Sequence, residues 1–566
     1  MLRKDLRISL GDYRHIVDAA QRELREHDVV ERIYQGDHSV WKPRPDEIAN
    51  RLGWLTSPRT MMGFLNELQD LADEVTGDGY TRALLLGMGG SSLAPEVLRK
   101  TLGVRPGYLD LSILDSTDPA AVQYHTARLD PSKTLFIVST KSGTTVETIS
   151  FFTYFYNWVS AVTGQENAGK HFIAITDPHS TLAKMADTCG FRRVYLNDPD
   201  IGGRYSALSH FGLVPAVLMG ADVRFLLNRA LQMRPATDTM GGSAPHDDTG
   251  ILLGTIMGAL AGAGRDKMTL VTSALVEPFG AWIEQLIAES TGKEAKGVIP
   301  VIGEALGPPE AYGPDRFFVC LCLEWDRSCG NVKLDALERA GYPVVYLYMK
   351  DLYDLGRQFF LWELATAVAA YFLKINPFDQ PDVEAAKVRA GLMLDHYRKE
   401  GTLPPEDPML SSEGIKVFGT NARTMDRVLQ AFLAEAGERS YAALQVYVKP
   451  SEKTCSALQY LRERIRDRYH IATTVGFGPR FLHSTGQLHK GGPGGGFFIQ
   501  FTADDLVDVP IPDRVGSAVS SITFGVLKMA QVMGDRQALV EKGRPVMRFH
   551  FEKDVDEGLR SLAATI

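Results

Sequence analysis

Between residues 83 and 196 five short apolar runs recur: Ala83–Leu86, Leu111–Leu114, Thr134–Val138, His171–Thr176 and Arg193–Leu196. The intervals between them hold helical patterns. Runs this short and apolar throughout suit strands buried on both faces. Strands alternating with helices predict an α/β fold built on a doubly wound parallel sheet. In such sheets ligands bind beyond the carboxyl ends of the strands, where strand order reverses. The stretch Met233 to Gly250, with Pro235, Gly241, Gly242, Asp247 and Asp248, reads as a linker. The alternation then resumes, with strands at Met268–Thr272, Phe317–Leu323 and Val344–Met349 and helices at Glu277–Glu289, Leu334–Ala340 and Phe359–Leu373. A third α/β region begins near 400. It carries a strand at Ala442–Val448, a charged helix at Ser456–Arg468, a strand at Phe497–Phe501, an amphipathic helix at Ser517–Val532 and a strand at Val546–Phe551. The implied division is a helical wrapping segment (1–55), a first domain (56–235), a second (250–400) and a C-terminal α/β region (401–566).

Two loops in the first domain follow strands and lead into helices. Gly87-Met88-Gly89-Gly90-Ser91-Ser92 lacks the third glycine of a dinucleotide fingerprint. Ser139 to Thr148 carries Thr140, Lys141, Ser142, Thr144 and Thr145. Hydroxyls, one ammonium and the unpaired N–H groups of a helix N-terminus suit a phosphate monoester. The expected anion-binding residues are Gly90, Ser91, Thr140, Lys141, Ser142 and Thr145.

A net charge of −8 without a long basic block argues against nucleic acid and anionic membranes as partners. No apolar stretch approaches the roughly 20 residues of a membrane span, and Met1 to Asp5 carries no apolar leader core. Five cysteines, an odd number without Cys-x-x-Cys, fit a reducing cytoplasm.

Four further residues could do chemistry. Arg204 follows Gly202-Gly203 after the strand Arg193–Leu196, where a guanidinium can meet an oxyanion. Glu289 ends a helix, and the negative end of the dipole is expected to raise its pKa toward that of a general base. Lys387 lies near the second turn of a helix that Pro381 can open and Asp379 can cap. His483 sits among Ser484, Thr485, Gly486 and Gln487, ahead of a Gly-rich turn. His483 and His489 are six apart, which is not a metal spacing.

Together Gly87-Met-Gly-Gly-Ser-Ser, Ser142-Gly-Thr-Thr-Val-Glu-Thr, Gly202-Gly-Arg-Tyr-Ser, Glu289-Ser-Thr-Gly-Lys and Asn376-Pro-Phe-Asp-Gln…Val-Glu-Ala-Ala-Lys387 resemble the glucose-6-phosphate isomerase family over roughly 40 to 560. The run from His483 is similar to the isomerase half of bacterial transaldolase/isomerase fusions. The resemblance implies two sugar isomerase (SIS), flavodoxin-like αβα sandwich domains, with the C-terminal region added. It implies aldose–ketose isomerisation of glucose 6-phosphate and fructose 6-phosphate through a cis-enediol, with no metal or cofactor. Glu289 would be the base, Arg204 would offset the enediol charge, and Lys387 and a histidine would assist ring opening. Gln380 would contact the sugar. In the family that histidine comes from the neighbouring subunit, which implies a homodimer. Here no histidine lies between Glu289 and Asn376, so His483 takes the role, from its own subunit or the neighbour's. The transaldolase half is absent, and its activity is not expected. Two other readings stay open: an isomerase of a sulfonated hexose such as sulfoquinovose, and a non-catalytic SIS sensor of sugar phosphates.

Overall fold

The computed structural model describes residues 5–233, 249–326, 329, 332–419 and 424–566. Most of the linker candidate Met233 to Gly250 lies outside the described residues.

An N-terminal strand β1 (Leu6–Ser9) belongs to the second sheet. The first sheet holds β2 (Arg82–Gly87), β3 (Asp110–Leu114), β4 (Thr134–Ser139), β5 (Phe172–Thr176) and β6 (Arg193–Leu196), in the order β3-β2-β4-β5-β6. Its pairings are parallel. Successive side chains of a strand point to opposite faces, and both faces are covered. Leu85, Leu111, Ile137 and Ile175 enter one core. Leu84, Leu86, Phe136, Val138 and Phe172 enter another, with the helix Val146–Thr163. From β2 the chain moves first to one side and then to the other, so β2 and β4 flank the reversal. Gly87 pairs with Ser139 there, which sets the two hydroxyl-rich loops side by side.

The second sheet holds β7 (Lys267–Thr272), β8 (Ile299–Val301), β9 (Arg316–Leu323) and β10 (Val344–Met349), in the order β1-β10-β9-β7-β8. Its pairings are parallel except for β1, which runs antiparallel to β10. The sequence reading gave residues 1 to 55 only helices. β1 escaped it because Leu-Arg-Ile-Ser is short and half polar, and its partner lies more than 300 residues away. Val17, Ala20 and Leu24 of the helix Arg14–Glu26 are buried at helical spacing, and Trp41 Nε1 donates to the Ala367 carbonyl at 2.8 Å.

The third sheet holds β11 (Leu410–Ser412), β12 (Ile415–Phe418), β13 (Tyr441–Tyr447), β14 (Ala472–Phe477) and β15 (Gly496–Ala503). It closes with β18 (Val546–Phe551), in the order β11-β12-β18-β15-β13-β14. A ribbon pairs β16 (Pro510–Ile511) with β17 (Ile522–Thr523). That ribbon shortens the helix expected from Ser517. It begins at Phe524, where the Thr523 side chain accepts from the Val526 N–H. Pro381 and Asp379 likewise do not start the helix that bears Lys387. It runs Val383–Glu400 with Asp382 at its N-cap, and Asp379 is engaged elsewhere. Among the described residues no helix is long and apolar enough to cross a membrane.

A buried polar seam joins the second and third sheets. Arg316, at the start of β9, lies 3.0 Å from Glu304, and both side chains are fully buried. Arg316 Nη1 donates to Thr269 Oγ1 at 2.7 Å. Glu304 Oε2 accepts from Thr473 Oγ1 of β14 at 2.9 Å. Arg462 donates to the Ile302 and Thr473 carbonyls at 2.9 and 2.6 Å. Burial alone would raise the Glu304 pKa, but the Arg316 guanidinium holds it below the ordinary carboxylate value.

The cysteines do not all stay free, as a reducing compartment would suggest: Cys322 and Cys329 form a disulfide.

Candidate active site

Three loops converge at the carboxyl end of the first sheet. Gly90 opens the helix Gly90–Leu102. A Cβ on Gly90 would stand 2.0 Å from the Gly203 carbonyl oxygen, which is backbone and cannot yield. Gly89 has φ +54, and a Cβ there would stand 2.8 Å from the His483 carbonyl. These glycines are therefore required for close approach. Gly90→Ala is expected to push the Gly87–Ser92 and Gly202–Ser206 loops apart. It should lower the melting temperature by several degrees and abolish most turnover, as read by thermal unfolding and a coupled assay. A Gly90→Ala protein with unchanged melting and kinetics would contradict this packing.

Arg204 sits in a short 3₁₀ turn, Gly203–Tyr205, and is almost fully buried. Its Nε donates to Ser290 Oγ at 2.8 Å and Nη1 to Gln380 Oε1 at 2.9 Å. Nη2 donates to the carbonyls of Pro377 and Asp379 at 2.6 and 2.9 Å. Nη1 also lies 3.0 Å from Glu289 Oε1. So many fixed acceptors hold the guanidinium in one orientation. Glu289 lies in the last turn of the helix Phe279–Thr291, two residues before its end. Its Oε2 accepts from Gln285 Nε2 at 3.0 Å, and the same nitrogen donates to the His483 carbonyl at 2.9 Å.

His483 closes a 3₁₀ turn after β14. Its Nε2 lies 2.8 Å from Glu147 Oε1, in the same chain. Glu147 is buried in the first turn of the helix Val146–Thr163 and also accepts from Gln531 Nε2 at 2.6 Å. Burial would raise its pKa, yet the neighbouring imidazole and these hydrogen bonds hold it below the ordinary glutamate value. His489 has no such opening. Burial drives its pKa well below the ordinary histidine value, and its ring packs on Phe481 and Phe498.

A cavity of about 410 Å³ is lined by Ser142, Thr144, Thr145, Glu147, Lys387 and His483, among others. Thr145 is the N-cap of its helix but spends no side-chain hydrogen bond on capping. Its hydroxyl lies 3.0 Å from that of Thr140, and Ser142 Oγ lies 2.9 Å from Thr144 Oγ1. Hydroxyls gathered at a helix N-terminus make an anion cradle. Ser91 lies beside it, its carbonyl accepting from Ser139 Oγ at 3.3 Å. Lys387 is largely exposed, with Glu384 3.5 Å away.

Lys141 does not join this group. Its ammonium pairs with Asp177 and donates to the Pro199 carbonyl at 2.8 Å. The expected residues thus fall into two clusters, the cavity group with His483 and the Arg204–Glu289–Gln380 group. Gln285 bridges them. Gln285 and Glu147 were missed by the sequence reading. Glu147 stands inside the Val-Glu-Thr motif, and a glutamate at the first turn after an anion loop was the available signal.

Lys293, of the same Glu289-Ser-Thr-Gly-Lys run, is buried and pairs with Asp379 Oδ1 at 2.7 Å. Burial lowers its pKa to about 8, with Arg204 adding repulsion. Below that pH the ammonium anchors the Asp379–Gln380 turn against Arg204. Above it the ion pair is lost. The pH profile of kcat/KM is expected to fall above about pH 8, and a profile flat to pH 9.5 would contradict this role.

Parallel sheets covered on both faces, with an anion cradle at the strand reversal, define an α/β sandwich protein. Two solved structures share the fold: the hypothetical protein TT0462 of Thermus thermophilus (TM-score 0.57, 23% identity, 70% of this chain and 100% of that one) and a glucose-6-phosphate isomerase from Chlamydia trachomatis (TM-score 0.56, 17% identity, 67% and 86%). Residues 60–300 match the phosphoglucose isomerase family model. It is 29% identical to the glucose-6-phosphate isomerase of Rubrobacter xylanophilus over 386 residues, 59% of this chain and 87% of that protein. It is 26% identical to that of Prochlorococcus marinus over 436 residues, 69% and 80% respectively.

Proposed function

We propose that this chain is an aldose–ketose isomerase that interconverts glucose 6-phosphate and fructose 6-phosphate. The observation that carries the proposal is the joining of a carboxylate to a fixed guanidinium, Glu289 and Arg204 at 3.0 Å, linked through Gln285 to the histidine that faces the anion cradle.

The phosphate is held by Ser91, Thr140, Ser142 and Thr145 with backbone donors at Gly90 and the helix N-terminus. Lys141 contributes backbone rather than charge. His483, braced by Glu147, and Lys387 exchange a proton with the ring oxygen and the anomeric hydroxyl as the ring opens. Glu289 then takes the C2 proton. The C–H electron pair becomes the C1=C2 bond as the C1=O1 π pair moves onto O1, the O2 hydroxyl passes its proton to O1 through the cis-enediol, and Arg204 offsets the negative charge on oxygen. Glu289 returns the proton at C1 to give the ketose. Base and fixed cation supply this chemistry together. Gln380, which accepts from Arg204, positions the sugar.

The test is isomerisation of fructose 6-phosphate in D2O, followed by NMR. The expected product is glucose 6-phosphate carrying deuterium at C2. Failure with hexose phosphates alongside turnover of sulfoquinovose would replace the substrate, and failure with both would remove the enzymatic reading.

A further inference from the structure

Far from the candidate active site, three cysteines converge inside the second sheet. Cys320 and Cys322 lie two apart on β9 and therefore share a face. Cys329 precedes the helix Val332–Arg339. All three are buried, packed among Phe318, Leu334, Leu337 and Tyr346. Cys322 and Cys329 are joined. The Cys320 sulfur stands 3.1 Å from that of Cys322 and 3.2 Å from that of Cys329.

These two near-equal distances decide what the third thiol is for. Thiol–disulfide exchange proceeds by attack on one sulfur with the other leaving, which calls for an in-line approach. A thiol equidistant from both sulfurs sits side-on to the bond. The arrangement is instead a triangle around one point, with all three ligand sulfurs within 4.8 Å of one another. Tetrahedral thiolates at about 2.3 Å from zinc stand roughly 3.8 Å apart, and opening the disulfide moves the sulfurs toward that spacing.

We propose that the reduced protein binds one thiophilic d10 metal ion, zinc or copper(I), through Cys320, Cys322 and Cys329. Soft sulfur-only ligand sets select such ions. A dithiol reductant first opens Cys322–Cys329, giving two thiols and becoming a cyclic disulfide itself. The three thiols then release three protons as the metal–sulfur bonds form. Oxidation reverses this: a two-electron oxidant rejoins the sulfurs and expels the ion. The ion fastens Cys329 to β9, so the role is structural and independent of the isomerase reading.

The test uses the full chain, expressed in medium containing zinc and copper and purified anaerobically with a dithiol reductant. Elemental mass spectrometry should find about one equivalent of zinc or copper per chain. That content should fall at least tenfold in the triple variant Cys320→Ser/Cys322→Ser/Cys329→Ser and persist in Cys189→Ser/Cys455→Ser. If the triple variant fails to fold, a cadmium titration of reduced wild type gives the second readout. A thiolate-to-metal absorption band saturating at one equivalent supports the site. Metal-free protein with all three thiols reduced, no such band, or full metal content in the triple variant overturns it.

Discussion

Glu289→Gln is expected to lower kcat by about 10²–10⁴-fold, the usual contribution of a positioned general base, with little change in KM. The amide keeps the size of the carboxylate, and its oxygen can still accept from Arg204 Nη1, now 3.0 Å from Glu289 Oε1. What it loses is the ability to take a proton from carbon. The anion cradle is made by other residues, so substrate affinity is retained. Glu289→Asp retains a base but draws it back by one methylene, and an intermediate loss is expected. Steady-state kinetics in both directions measure these effects. Wild-type turnover by the Gln variant would mean that another group carries the proton.

The largest effect on stability is expected from Arg316→Met. The single change leaves the Glu304 carboxylate buried between two sheets without its partner at 3.0 Å. Breaking a buried pair in this way costs about 3–5 kcal/mol. The double variant Arg316→Met/Glu304→Gln removes both charges and should recover a good part of that loss. Because Arg316 holds the Glu304 pKa down, the pair's contribution is present above the unfolded glutamate pKa. It is lost as pH falls through the lower, folded value. Denaturant unfolding at neutral pH, followed through the second and third sheets, checks the ordering. Equal stability of the single and double variants would show that charge pairing is not what the seam provides.

The parts of this fold that could be read from sequence are those decided by local pattern. The middles of β2, β4, β7 and β9 are largely apolar because both faces are covered, and such runs declare themselves. The two anion loops were legible because hydroxyls and glycines between a strand and a helix have few other uses. Short, partly polar strands were not: β1 and β12 pair with strands remote in sequence, and β11 is held only by β12 at the sheet edge. The same limit applies within the site. Lys141 stands in the expected loop, but its ammonium is claimed by Asp177, which no local pattern announces. Asp379 was read as a helix cap, and Lys293 holds it instead. The role of Glu147 depends on His483, 336 residues further on.

That last contact has a consequence for how the protein becomes competent. The imidazole reaches Glu147 from the same polypeptide, delivered by the C-terminal region. For the role proposed for His483, that pairing forms as the chain folds, and specific activity is expected to hold constant on dilution to nanomolar concentrations; a loss on dilution would show that a second subunit completes the site.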